Sequence, residues 1–194
     1  MSSTLRLTIV TESPICPGTG GGRFGFVDRD ATFTPSGLPV LRAKRLYGLL
    51  RDAYRDLALL QWPLSPEDAL FGKPGQESPG ALRLTDATLE RASELQPFLA
   101  AVKARSKTPA FSPEDVIAHY SEILRQTAME DGAPKENTLR ATRAIRQGLT
   151  FHAPVSPLSP EDRNTLALAA AAVHRMGTSR SRGLGKVRFS LEER

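Results

Sequence analysis

Cysteine is nearly missing from this 194-residue chain. Cys16 is the one thiol, which excludes an internal disulfide and any multi-cysteine zinc site. Long hydrophobic runs are missing too: no stretch approaches the roughly 20 apolar residues that a membrane-spanning helix needs. The opening residues, Met1-Ser2-Ser3-Thr4, have neither the cationic start nor the apolar core of a secretory signal, so a reducing, cytoplasmic setting is expected. Three Tyr and one Trp leave little material for an aromatic stacking platform. The three histidines, His119, His152 and His174, are not paired at ligand spacing, so no metal site is expected on them. No nucleophile-elbow pattern supports a serine hydrolase.

What is present suffices for one core. Hydrophobic residues make up 40% and charged residues 24% of the chain, which argues against disorder and fits a single domain over residues 1–194. The net charge is +5 and lies entirely in the second half. Residues 1–100 hold 11 basic and 11 acidic side chains, and residues 101–194 hold 15 and 10. A one-sided basic excess suits an anionic partner, nucleic acid or a membrane surface. The membrane version lacks an amphipathic basic helix.

Hydrophobic periodicity divides the chain. Leu5, Leu7 and Ile9 alternate with polar neighbours, which predicts a strand over about 4–11. A Pro- and Gly-rich loop, Ser13 to Gly25, follows. Leu46, Leu49, Leu50, Ala53, Leu57 and Leu60 recur at helical spacing and predict a helix over about 44–60, with Gly48 inside it. Ser-Pro-Glu-Asp occurs at Ser65, Ser112 and Ser159. Each copy combines an N-cap, a first-position Pro and acids at the positive end of the dipole. They predict a short helix after Ser65, one over about 113–129 and one over about 160–176. Strands are expected at about 80–84, 149–155 and 186–191. Residues 72–80 and 96–112 read as loops, and 88–112 as a loop-rich insertion. Strands and helices interleave without a regular βαβ period, which predicts an α+β sandwich with helices on one sheet face.

Two phosphate motifs fail on context. Gly20-Gly21-Gly22-Arg23-Phe24-Gly25 spells G-x-G-x-x-G, but no helix start follows to hold a pyrophosphate. Arg182-Gly183-Leu184-Gly185-Lys186-Val187 resembles half a P-loop, without the first Gly and with Val187 in place of the hydroxyl that would bind magnesium. The basic sets carry more. Arg175, Arg180, Arg182, Lys186 and Arg188 surround Gly177, Gly183 and Gly185 with no acid among them. Arginines grip phosphates, and glycines let a backbone approach them. Lys135, Arg140, Arg143 and Arg146 form a second set, and Lys44 and Arg45 at a helix start form a third.

The order of these segments resembles the RAMP superfamily, the repeat-associated proteins that build CRISPR effector complexes, above all type III subunits. Five stretches carry the resemblance: Leu5 to Gly22; Gly37-Leu38-Pro39 through Leu46-Tyr47-Gly48-Leu49-Leu50-Arg51; Leu70-Phe71-Gly72 with Gly80 to Ala87; Ala133 to Phe151; and Met176-Gly177 through Ser181-Arg182-Gly183-Leu184-Gly185-Lys186-Val187. Arg42-Ala43-Lys44-Arg45 stands where the family has Pro-Gly-Ser-Ser, and Tyr47 where it has Lys. The Leu- and Arg-rich segments look more like the proteins of type III-D.

The resemblance implies a ferredoxin-like, RRM-like core with an antiparallel sheet, helices on one face, and insertions. It implies a CRISPR RNA-binding structural subunit of a ribonucleoprotein in antiviral defence, whose partners are CRISPR RNA, complementary target RNA and other effector subunits, with no membrane. Such contacts read backbone and shape and leave sequence to base pairing. The expected RNA contacts are Lys44, Arg45, Arg51, Arg140, Arg143, Arg180, Arg182, Gly183, Gly185 and Lys186. The alternative is a metal-dependent endoribonuclease that cuts guide-complementary RNA. Asp28, eleven residues before Pro39, is then the catalytic candidate, with Asp30 as neighbour and magnesium as the cofactor. RNA binding itself requires no cofactor.

Overall fold

The computed structural model describes residues 5–18, 27–73, 80–105, 112–127, 129–130, 133–134 and 138–193. The G-x-G-x-x-G segment and Lys135 lie outside them.

Eight elements form the frame. Strand β1 (Leu5–Thr11) leads through the two-residue β2 (Val40–Leu41) to helix α1 (Ala43–Leu59). Helix α2 (Glu67–Phe71) precedes β3 (Ala87–Leu89). After a long excursion, β8 (Thr150–Pro154), α5 (Pro160–Ala172) and β9 (Val187–Glu193) close the chain. The main sheet runs β2-β3-β8-β1-β9, with every neighbouring pair antiparallel. Taken without β2, the order β1, α1, β3, β8, α5, β9 is the β-α-β-β-α-β ferredoxin-like path. Its first and third strands are central and its fourth is an edge.

Alternation decides which face is covered. Leu7 and Ile9 of β1 are fully buried, beside Phe151 and Ala153 of β8 and Phe189 of β9. Leu46, Leu50, Ala53 and Tyr54 of α1 and Leu166, Ala169 and Ala170 of α5 join the same core. Each fully buried Leu, Ile or Phe contributes roughly 1.5–3 kcal/mol by burial. No described helix is long and apolar enough to cross a membrane.

The excursion between β3 and β8 holds α3 (Ala92–Arg105), α4 (Pro113–Tyr120), β4 (Ser121–Gln126), β5 (Met129–Glu130), β6 (Ala133–Pro134) and β7 (Arg140–Ile145). This corrects the loop expected at 88–112: residues 92–105 are helical despite Pro97. Proline removes one donor, while Leu95 and Leu99 still pack against the core. The helix expected over 113–129 stops at Tyr120. Ser121 there begins a strand that pairs with β7 through six residues, from Ser121 opposite Ile145 to Gln126 opposite Arg140. No strand forms at 80–84 beyond a single bridge between Leu84 and Val155.

The three Ser-Pro-Glu-Asp copies diverge. Ser112 makes a full capping box with Asp115, and the Ser159 hydroxyl accepts from the Asp162 N–H at 3.1 Å. Ser65 does not cap. Its N–H donates to Thr165 Oγ1 (2.9 Å) and its carbonyl accepts from the Tyr54 hydroxyl (2.7 Å), while its own hydroxyl is buried without a partner.

Candidate nucleic-acid interface

Helix α1 starts without help from its own sequence. Arg42 is an extended N-cap with no side-chain cap, and the first turn contains no acid. Asp86, just before β3, supplies what is missing. Its Oδ1 accepts from the Ala43 N–H at 2.7 Å and its Oδ2 from Arg42 Nη1 at 2.8 Å. Burial pushes the Asp86 carboxyl up, but the Ala43 N–H and Arg42 outweigh it and hold the pKa below its ordinary value. The anion expected at this helix end is therefore partly supplied by the protein itself.

A cleft of about 730 Å³ opens along the exposed side of α1. Three segments distant in sequence line it: Pro17, Gly18 and Thr32 from the first loop, Arg42 and the α1 residues Lys44, Arg45, Gly48, Leu49 and Asp52, and Gly177 and Arg180 from the last loop. Arg45 ties the first two together by donating from Nη2 to the Gly18 carbonyl at 3.3 Å. Thr178 N–H donates to the Cys16 carbonyl (3.0 Å), and Gly185 N–H to the Pro14 carbonyl (2.9 Å), so the first and last loops are zipped side by side. That approach requires glycine. A Cβ on Gly177 would lie 2.3 Å from the Cys16 carbonyl oxygen, and one on Gly185 would lie 2.5 Å from the Met176 oxygen. Both residues also have positive φ, +91° and +85°. Arg175 closes the turn from inside, donating from Nη1 to the Arg180 and Leu184 carbonyls.

The structure sorts the ten expected RNA contacts. Lys44, Arg45 and Arg180 stand together on the cleft. Arg182 and Gly183 are exposed on the adjoining turn. Arg140 is exposed on β7, apart from the cleft. Four have internal duties. Arg51 donates to Glu67 Oε1 at 2.6 Å and to the Gly72 carbonyl, and Lys186 Nζ lies 3.1 Å from Glu12 Oε2. Arg143 is buried against Asp30, with Nη1 at 3.2 Å from Oδ2. Gly185 is required by the Met176 carbonyl, which a Cβ there would meet at 2.5 Å.

Asp28 and Asp30 do not form a pair. Asp28 is exposed at the margin of β7, where its Oδ2 accepts from the Ala141 N–H at 2.7 Å. That bond, more than the Arg140 guanidinium at 3.5 Å, holds its carboxyl below the ordinary range. Asp30 faces inward to Arg143. Magnesium needs six oxygen donors, of which a protein commonly supplies one or two carboxylates and water and substrate phosphates the rest. Among the described residues no three His, Cys, Asp or Glu come together, and the one exposed acid of this pair is already fixed by a backbone amide and an arginine. Of the two acids, Asp28 alone is exposed enough to reach a metal ion, and it would do so only by giving up part of these contacts.

Sequence reading missed Arg42, Asp52, Asp86 and Gly18 as parts of this region. Asp86 carried no local signal, because its role depends on β3 lying beside the start of α1. Asp52 was legible: it falls at i+7 from Arg45, on the same helical stripe.

A family model of the RAMP superfamily matches residues 8–188, and the chain belongs to that superfamily. The fold is shared with solved chains. A chain from the cryo-EM structure of the type III-B Cmr-beta complex bound to cognate target RNA superposes with a TM-score of 0.69 at 10% identity, covering 98% of this chain and 97% of that one. A chain from the apo state of type III-B Cmr-beta gives 0.63 at 12% identity, covering 98% and 96%. No curated protein sequence matches.

Proposed function

We propose that this chain is a structural, RNA-holding subunit of a type III CRISPR effector ribonucleoprotein, one that binds CRISPR RNA and sits beside complementary target RNA and other effector subunits. The observation that carries this reading is the convergence of Pro17-Gly18, the first turns of α1 and the Gly177–Arg180 turn on one cleft, with Arg42, Lys44, Arg45 and Arg180 on its walls. Lys44, Arg45 and Arg180, beside an Arg42 already paired with Asp86, and a close-lying glycine backbone suit a phosphodiester strand. Membership of the RAMP superfamily and the shared fold with Cmr-beta chains support the same assignment. Electrostatics dominate this reading, since no aromatic residue among the described residues lines the cleft.

The test is to purify the chain, sequence any RNA that accompanies it, and measure affinity for single-stranded RNA against salt. The expected result is enrichment of CRISPR repeat-derived RNA and a log–log slope of about −2 to −3, from roughly −0.7 per neutralised phosphate on a single strand. No bound RNA and no salt-dependent affinity would overturn the reading. The nuclease reading has weaker support, because Asp28 is engaged by Ala141 and Arg140 and Asp30 by Arg143.

A further inference from the structure

The α1 wall of the cleft carries two residues that phosphate neutralisation does not use. Arg45, Gly48, Leu49 and Asp52 fall at i, i+3, i+4 and i+7 and form one stripe along the cleft, away from the buried Leu46, Leu50 and Ala53. Gly48 weakens the helix relative to alanine. Packing among the described residues does not account for it. Among the described residues, a Cβ there would meet nothing within 4 Å beyond its own stretch of helix, whereas a Cβ on Gly177 or Gly185 would collide with backbone. The space beside Gly48 opens into the cleft.

Asp52 is exposed one turn further on. It makes no ion pair with the cations that share the cleft: Arg42 pairs with Asp86, and Arg45 bonds the Gly18 carbonyl. An ionised carboxylate only accepts hydrogen bonds, and it repels phosphate. On a strand held by its phosphates, the backbone group that can donate to it at every nucleotide, whatever the base, is the ribose 2′-hydroxyl, which DNA lacks.

We propose that Gly48 and Asp52 form a ribose-contacting strip: the missing side chain at Gly48 lets a sugar lie against α1, and Asp52 accepts a hydrogen bond from its 2′-hydroxyl, so that the cleft prefers RNA to DNA. The proposal rests on the reading of the cleft as an RNA groove.

The experiment compares the full chain, Asp52→Ala and Gly48→Ala by fluorescence anisotropy with labelled single-stranded RNA and DNA of one sequence, at fixed salt, alongside thermal melting. Wild type is expected to favour RNA. Asp52→Ala should weaken RNA binding roughly tenfold, the size of one charged hydrogen bond, while DNA binding stays level or tightens. Gly48→Ala should raise Tm by roughly 2–4 °C and yet weaken RNA binding; a purely structural glycine would not give these opposite signs. If Asp52→Ala tightens RNA and DNA alike, Asp52 is only a repulsive charge and the strip is overturned. A wild type that binds both polymers equally, or a Gly48→Ala variant with unchanged RNA affinity, overturns the strip and leaves the groove standing. A wild type that binds neither polymer overturns the groove itself, and the strip with it.

Discussion

Arg143 and Asp30 form an enclosed ion pair: Arg143 Nη1 lies 3.4 and 3.2 Å from the two Asp30 carboxylate oxygens, and 11% of each side chain is exposed. The pair joins β7 to the loop that follows the first strand. Arg143 N–H donates to the Arg29 carbonyl at 2.9 Å, and the Ala31 N–H donates to Asp30 Oδ1 at 2.8 Å. Removing one partner of a buried pair leaves the other charge without compensation, at a cost of about 3–5 kcal/mol. Asp30→Ala is therefore expected to lower Tm by roughly 10 °C. Any loss of RNA binding should vanish when affinity is measured well below that Tm. A melting curve unchanged from wild type would contradict this account.

On the cleft, Lys44→Glu with Arg45→Glu reverses two exposed charges on one wall. RNA affinity should fall steeply and the salt slope should lose about 1.4, from roughly 0.7 per phosphate contact. Tm should change little, because both side chains are exposed. Titration by anisotropy at three salt concentrations checks this, and retained affinity would place the RNA elsewhere.

The last loop separates contacts from scaffolding. Arg180→Ala should reduce the slope by about 0.7, whereas Lys186→Ala should leave it unchanged, since Lys186 faces Glu12. Gly185→Val should unfold or strongly destabilise the chain, because a Cβ there meets the Met176 carbonyl oxygen at 2.5 Å. Gly183→Val should be milder: its φ of +79° is strained for valine, but nothing lies within 4 Å of a new Cβ.

Glu67 gives a pH dependence. The Arg51 guanidinium at 2.6 Å, with Arg55 beside it, holds its carboxyl below the ordinary value. A depressed folded pKa adds stability that is fully present above the unfolded value of about 4.3. That stability is lost as pH falls through the lower folded value. Melting temperature should thus be level above about pH 5 and fall below about pH 4. Glu67→Gln should lower the plateau and flatten the acid limb. Arg51→Ala should destabilise in the same way while leaving the RNA salt slope intact.

For Asp28, the assembled complex with guide, complementary RNA and magnesium is the proper assay. The expected outcome is that Asp28→Ala changes neither RNA binding nor any cutting of the target. Cutting by wild type that disappears in Asp28→Ala, with binding preserved, would establish the nuclease reading instead.

Much of the frame was legible because its signals are local. Alternation at Leu5, Leu7 and Ile9, helical spacing from Leu46 to Ala53, and the Ser159 cap each act within a few residues. The elements that misled are those where distant partners override local preference. Ser121 ends a helix because β7 offers a ladder. Residues 92–105 keep a helix despite Pro97 because Leu95 and Leu99 have a core to reach. Ser65 abandons its cap because Tyr54 and Thr165 hold its backbone.

By itself the sequence determined the periodicities, the charge excess of the second half and the glycine-arginine composition of the last loop, since all of these are properties of the chain in order. Tertiary structure alone decided which charges are free. Arg143 and Arg180 look alike in sequence, yet one is enclosed against Asp30 and the other lines an open cleft. The same holds for glycine: Gly185 admits a neighbouring carbonyl, while Gly48 faces open space among the described residues. Whether a charge is paired or a gap is filled depends on atoms brought close by folding from tens of residues away. Coulomb and contact energies depend on distance in space, which residue order does not specify.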